Sequence, residues 1–272
     1  MNQKELNAAI VSNAKETQED AERYYRQILL PSVGEKGQEI IQSLRILIFG
    51  SGALGCSCAE LLTRAGVQFL RLVDRDVVEW SNLQRQHLFD ESDARERRPK
   101  VDAAKRRLEN INHRVEIEAI VLDVNATNIE LLLKGVDAVI DATDRLEERY
   151  LLNDVCVKHG IPWVYAAIRR TSAVWMPLTS PNGPCLRCVF PEKPEKETLN
   201  AGVWGPAVST TGGMEVSQLL RYFIEGKPDS STSVLTEMNL WNNTFVQIPV
   251  SKNPKCPCCV GKEFAFLNKK SF

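Results

Sequence analysis

Short, nearly continuous apolar runs alternate along this chain with longer segments whose apolar positions recur every three or four residues. The first run, residues 46–49, breaks into Gly50-Ser51-Gly52-Ala53-Leu54-Gly55 and then into a segment of helical spacing over 56–65. Further strands are expected at 69–74, 115–122, 136–142 and 162–168, with helices over 99–110, 129–134 and 145–159. Strands apolar on both faces, separated by helices, predict a doubly wound, Rossmann-like, mostly parallel α/β sheet. From Ser172 the pattern changes. A strand at 173–179, a helix over 208–226 and a hairpin of 234–240 with 244–250, turning at Asn242-Asn243, predict a C-terminal antiparallel extension. A short helix is expected around 38–42 and a polar helical arm over 1–22. No linker-like composition interrupts 23–272, which reads as a single domain.

Composition narrows the class. The 34 basic and 35 acidic side chains leave a formal charge of −1, so no global field draws nucleic acid or an anionic membrane. No apolar run approaches the roughly 20 residues a membrane-spanning helix requires, and the N-terminus has no apolar signal block. A cytoplasmic protein is expected. Cys185-Leu-Arg-Cys188 and Cys256-Pro-Cys-Cys259 form two CxxC pairs. In a reducing compartment such pairs read as metal ligands before disulfides, and four thiolates suit a closed tetrahedral zinc knuckle. Cys258 is the spare, an alternative to Cys259 as the fourth ligand.

The glycine turn lies between a strand and a helix N-terminus, where free N–H groups and the helix dipole suit a phosphate. Gly50, Gly52 and Gly55 let the backbone turn sharply and approach a ligand closely. Asp74 closes the second strand about 20 residues further on, where an acid accepts hydrogen bonds from a ribose. Asp144 is expected at the end of the fourth strand, and Arg85 and Lys100 in the crossing segment. Hydride transfer has no use for two such cations. A triphosphate does, and the strand-end carboxylate of Asp144 suits Mg²⁺. Read singly, each cation is a solvated surface charge, and the glycine turn alone fits an NAD-dependent oxidoreductase. A zinc-stabilised scaffold with an inactive nucleotide site is the non-enzymatic reading.

Arg23-Tyr-Tyr-Arg26-Gln27-Ile-Leu-Leu, the glycine turn, Asp74-Arg-Asp76-Val-Val-Glu-Trp-Ser-Asn82-Leu-Gln-Arg85-Gln86, Pro99-Lys100, Asp141-Ala-Thr-Asp144, both CxxC pairs and Ala201-Gly-Val-Trp-Gly-Pro206 occur in this order. Together they resemble the ThiF/MoeB/HesA family of ubiquitin-activating-enzyme-like adenylyltransferases. The resemblance implies ATP-dependent adenylation of the C-terminal glycine carboxylate of a small ubiquitin-like sulfur-carrier protein ending in Gly-Gly, with release of pyrophosphate. A peptide or small-molecule carboxylate is the alternative substrate. It further implies that Asp74 holds the ribose, that Asn82, Arg85 and Lys100 contact phosphates, and that Asp144 binds Mg²⁺. Asp76 and Gln86 belong to the same nucleotide site, and Arg26 reaches the ATP of the partner in a homodimer. A C-terminal carboxylate is ionised at pH 7, so the reaction needs no general base. Two departures stand out: Arg145 follows Asp144 where the family usually has asparagine, and Arg97 stands where glycine is common. The strand into Arg169-Arg170 is also unusually basic. Relatives that form a thioester place a cysteine before the Ala-Gly-Val segment. Here no cysteine lies between Cys188 and Cys256, so the enzyme is expected to stop at the adenylate.

Overall fold

The computed structural model describes residues 22–191 and 202–268. The polar arm expected over 1–22 therefore lies outside the described residues except for its last position, as does Ala201 of the Ala-Gly-Val-Trp-Gly-Pro segment. After a helical segment over 22–28 come α1 (Gly34–Ser43), β1 (Arg45–Phe49), α2 (Ala53–Ala65) and β2 (Phe69–Asp74). The crossing segment holds a 3₁₀ turn (Trp80–Asn82) and α3 (Glu91–Glu96), then α4 (Lys100–Ile111) and β3 (Glu116–Val121). The second half adds α5 (Ile129–Leu132), β4 (Ala138–Asp141), α6 (Leu146–His159), β5 (Trp163–Arg169) and β6 (Ser172–Leu178). It closes with α7 (Leu186–Val189), α8 (Gly205–Ile224), β7 (Thr232–Asn239) and β8 (Thr244–Ser251).

One sheet of eight strands in the order β3-β2-β1-β4-β5-β6-β7-β8 organises the described residues. The first five strands are parallel and the last three antiparallel, as the change of pattern at Ser172 predicts. Side chains alternate between the faces of each strand. Ile46 and Ile48 of β1 enter a core under α2, α4 and α8, and Leu47 and Phe49 enter a second core under α5 and α6. Close helix packing on the first face depends on Gly212, where a Cβ would sit 2.5 Å from Ser57 Oγ. The chain order reverses between β1 and β4, so the carboxyl ends of those strands open a crevice.

Several element bounds differ from the expectation. α2 begins at Ala53, before 56, because Gly52 acts as its N-cap. Pro99 caps α4 and does not occupy its first turn. β4 ends at Asp141, so Asp144 lies past the strand and not at its end. Between the stretch after Asp74, expected to be irregular, and Pro99 the chain also forms α3, a helix where no element was expected. That helix is fixed by its Asp90 cap and by buried Asp93, which accepts from Arg106 at 2.8 Å and pairs with Arg98 at 3.0 Å. No helix among the described residues is long and apolar enough to cross a membrane.

Candidate active site

A cleft of about 1230 Å³ opens at the switch point between β1 and β4. Its floor is the glycine turn. Gly50 has φ +99, and a Cβ there would meet the Ala142 carbonyl at 2.6 Å, so the turn and the end of β4 touch backbone to backbone. A Cβ on Gly55 would lie 2.1 Å from Gly50 O. Gly55 therefore serves the turn from behind and does not line the cleft, whereas Gly50 and Gly52 do. Gly52 supplies no side-chain cap to α2, which leaves the first N–H groups of that helix at the cleft, next to lining residues Ala53 and Leu54.

Asp74 fastens the turn. One carboxylate oxygen accepts from Ser51 N at 2.7 Å and the other from Asp76 N at 2.8 Å. An ionised carboxylate has about four lone-pair positions, so capacity remains for a ribose. Burial pushes Asp74 above the usual carboxylate range, against Lys100 and these two N–H donors. Lys100 is almost buried and extends its ammonium to Asp76 at 2.9 Å. Arg85 donates to Ser81 O at 2.8 Å. Asn82 is buried, and its side-chain oxygen accepts from Glu79 N at 3.0 Å. Gln86 Oε1 in the cleft, and Ser51 Oγ inside the turn itself, are buried and without a hydrogen-bond partner. Orphaned polar atoms beside a bare glycine turn fit a polar ligand.

Thus Gly50, Gly52, Asp74, Asp76, Asn82, Arg85, Gln86, Lys100 and Asp144 all line one cleft. Arg26 does not. It is exposed on the segment 22–28, whose fixed side is Tyr24, hydrogen-bonded by Asn112 at 2.9 Å, and Gln27.

At and behind the far wall stand residues to which the sequence reading gave no role. Asp141 is fully buried, accepts from Thr143 N and Oγ1 at 3.0 and 2.8 Å, and pairs with Arg149 Nε at 3.2 Å without hydrogen-bond alignment. Arg149 donates to Thr143 O at 2.6 Å and lies over the Tyr165 ring. Burial raises Asp141 even with this cation beside it. An acid inside an otherwise apolar strand demands a buried partner, and that rule is the signal that could have revealed Arg149. Glu148, on the first turn of α6, is pushed up to about 8 by burial and then by Asp144. Arg75, Asp123, Arg145 and Arg169 complete the wall.

These features decide the family: the ThiF family model matches residues 24–258. The chain belongs to the ThiF family. Among its relatives is the sulfur carrier protein ThiS adenylyltransferase of Bacillus subtilis, 38% identical over 250 residues, 90% of this chain and 74% of the relative. The SAMP-activating enzyme E1 of Haloferax volcanii is 36% identical, covering 88% of each chain. The sulfur carrier protein adenylyltransferase of Thermus thermophilus is 34% identical, covering 89% of this chain and 92% of the relative. Crystal structures of E. coli MccB share the fold. The complex with MccA-N7isoASN superposes with a TM-score of 0.75 at 20% identity, over 88% of this chain and 74% of that one.

Away from the cleft, Cys185, Cys188, Cys256 and Cys259 bring their sulfurs within 4.8 Å of one another. The Cys185–Cys256 and Cys188–Cys259 separations are 3.6 and 3.5 Å, near the roughly 3.8 Å edge of a tetrahedron with Zn–S bonds of about 2.3 Å. Cys258 stands outside this set. Its thiol donates to Asp154 at 3.4 Å and accepts from Asn153 at 3.3 Å, while Asp154 also accepts from Phe266 N at 2.8 Å. Cys56, Cys58 and Cys156 are buried, and the Cys58 thiol donates to Glu215 at 3.5 Å. Burial pushes Cys56 up to about 12 and also raises the other two, so none is a thiolate nucleophile at neutral pH.

Proposed function

We propose that this chain adenylates the C-terminal glycine carboxylate of a small ubiquitin-like sulfur-carrier protein. The single observation that carries this reading is the cleft itself: a glycine turn, a strand-end acid and a set of cations converge at a helix N-terminus. Membership in the ThiF family and relatives named as sulfur-carrier adenylyltransferases support the substrate. Residues 23–272 act as one adenylation domain, in a cytoplasmic homodimer.

Asp74 holds the ribose, with Asp76 and Gln86 beside it. The turn of Gly50 and Gly52, shaped from behind by Gly55, admits the phosphates to the first N–H groups of α2. Asn82 and Arg85 bind the phosphate oxygens, and Lys100 exchanges its Asp76 contact for them. Arg26 reaches into the cleft of the partner subunit. Asp144, with Glu148 adjacent, would hold Mg²⁺, which supplies charge neutralisation for the triphosphate. In the reaction one carboxylate oxygen of the carrier forms a bond to the α-phosphorus, and the bond from that phosphorus to the bridging oxygen breaks. The electron pair leaves with pyrophosphate, giving the acyl-adenylate without net proton transfer. Catalysis rests on positioning and on preorganised charge.

The four clustered thiols hold a structural Zn²⁺ that ties the C-terminal tail to α7. Cys259 is the fourth ligand, because Cys258 is already engaged by Asn153 and Asp154.

Incubating the protein with ATP, Mg²⁺ and a ThiS-type carrier, then measuring intact mass, tests the reading. A carrier heavier by one AMP, with no covalent conjugate to the enzyme, is expected. AMP appearing only on a peptide or small carboxylic acid would shift the function to the alternative substrate. A reductant-sensitive conjugate would show that the reaction goes past the adenylate.

A further inference from the structure

Six of the cationic side chains lining the cleft are already held. Arg75 donates to Asp123 and Arg85 to Ser81 O, each within 2.8 Å. Lys100 is bound to Asp76 at 2.9 Å and Arg149 to Asp141 at 3.2 Å, while Arg97 and Arg145 face Glu79 and Glu148, each at 3.8 Å. Arg169 is the exception. Exposed at the end of β5 and lining the cleft, it has no carboxylate, carbonyl or ring partner among the described residues.

Its setting is specific. Arg169 pairs with Ser172 across the β5–β6 turn, and the first turn residue, Arg170, has φ +59, a left-handed conformation that favours glycine. Non-glycine residues held in such conformations cluster at functional sites. Arg170 is fastened in that conformation through both backbone groups, donating to Gly202 O at 2.8 Å and accepting from Trp204 N at 2.9 Å. The start of the Arg169 side chain is thereby fixed at the rim.

In the sheet order β2-β1-β4-β5, the end of β5 stands three strand spacings across from Asp74 and, by register, three residues further along, about 17 Å away. A ribose held at Asp74 directs its phosphates over the glycine turn between β1 and β4. The end of β5 is left to the molecule that attacks them. Two anions meet in this reaction, the triphosphate and the acyl carboxylate, and the phosphate cations sit on the other wall.

We infer that Arg169 binds the free carboxylate of the carrier's C-terminus and selects it for attack on the α-phosphorus, an inference that rests on the adenylation reading above. Its guanidinium grips one carboxylate oxygen and leaves the other to form the phosphoester bond. The group is a specificity determinant that touches substrate. It is not a phosphate ligand.

The test compares wild type, Arg169→Ala and Arg169→Lys using a ThiS-type carrier, prepared both as the free acid and as its C-terminal amide. Carrier-dependent ATP–pyrophosphate exchange with the free acid, the form that has a carboxylate to adenylate, gives KM for carrier and for ATP. Calorimetry in the presence of α,β-methylene ATP compares the affinities of acid and amide without turnover. The expected result for Arg169→Ala is a rise of about tenfold or more in carrier KM, as for loss of a charge-assisted hydrogen bond. KM for ATP stays unchanged, and the preference for free acid over amide disappears. Arg169→Lys recovers part of that preference, since charge remains but the fork geometry is lost. If Arg169→Ala keeps the acid-over-amide preference in calorimetric binding, or weakens ATP instead, the assignment is overturned while adenylation stands. If wild type shows no exchange with the free-acid carrier, both are overturned.

Discussion

Gly55 lies behind the nucleotide turn, and a single methyl group there tests whether that turn is what the cleft depends on. An alanine Cβ would sit 2.1 Å from Gly50 O and 3.0 Å from its carbonyl carbon. A relaxed carbon–oxygen contact is about 3.3–3.6 Å, so α2 and the turn must separate by about 1.2 Å or more. Both neighbours are backbone and neither has a rotamer to yield. Overpacking of this kind costs about 1–3 kcal/mol, and a displacement of about 1 Å at a reacting centre costs on the order of 10² in rate. Gly55→Ala should therefore lower the urea midpoint at unchanged slope and weaken α,β-methylene ATP binding by at least tenfold. Gly213→Ala is the matched control. It is a helical glycine with nothing within 4 Å of its Cβ position, so alanine there should stabilise by about 0.5–1 kcal/mol and leave nucleotide binding alone. A Gly55→Ala protein with both native stability and native nucleotide affinity would refute the reasoning.

Other outcomes follow from the same geometry. Arg85→Ala and Lys100→Ala should each reduce the exchange rate by about 10²–10³ at nearly unchanged stability, read by pyrophosphate exchange beside a thermal melt; near-wild-type rates in both would remove the phosphate clamp. Cys185→Ser and Cys256→Ser should lose zinc by elemental analysis and melt earlier, whereas Cys258→Ser should keep its zinc, and a metal-free yet stable wild type would contradict the knuckle. Glu215 is fully buried, with Oε1 unpartnered and Oε2 accepting from Cys58, and burial raises it well above the usual carboxylate range. The folded chain keeps this proton after the unfolded chain releases it near pH 4.3, so stability is fullest below that pH. It then falls as pH rises toward the folded value, by up to about 1.4 kcal/mol per unit. Glu215→Gln should flatten that slope in urea titrations from pH 5 to 8, and parallel curves for the two proteins would show that Glu215 is not a buried acid.

The centre of the sheet was legible because its strands are buried on both faces and so appear as unbroken apolar runs, from Ile46–Phe49 to Trp163–Tyr165. The phosphate turn was legible because its glycines have steric reasons that depend on spacing alone. What stayed hidden depends on tertiary pairing. α3 has no apolar stripe and exists through Asp93 and its two arginines. Asp141 and Arg149 meet only when β4 and α6 are side by side. Lys100 and Asp76 are joined across the crossing segment, so a cation expected to be free for phosphate is already partnered. The choice of Cys259 over Cys258 turns on Asn153 and Asp154, residues distant in sequence and ordinary in type.

The central claim is that this cleft makes a carrier acyl-adenylate, and carrier-dependent exchange of labelled pyrophosphate into ATP measures that step alone. Exchange should appear only when a carrier with a free C-terminal glycine carboxylate is present, require Mg²⁺, and vanish in Asp144→Ala. Exchange that proceeds equally without a carrier, or none with any Gly-Gly carrier from a protein that binds ATP, would contradict the account.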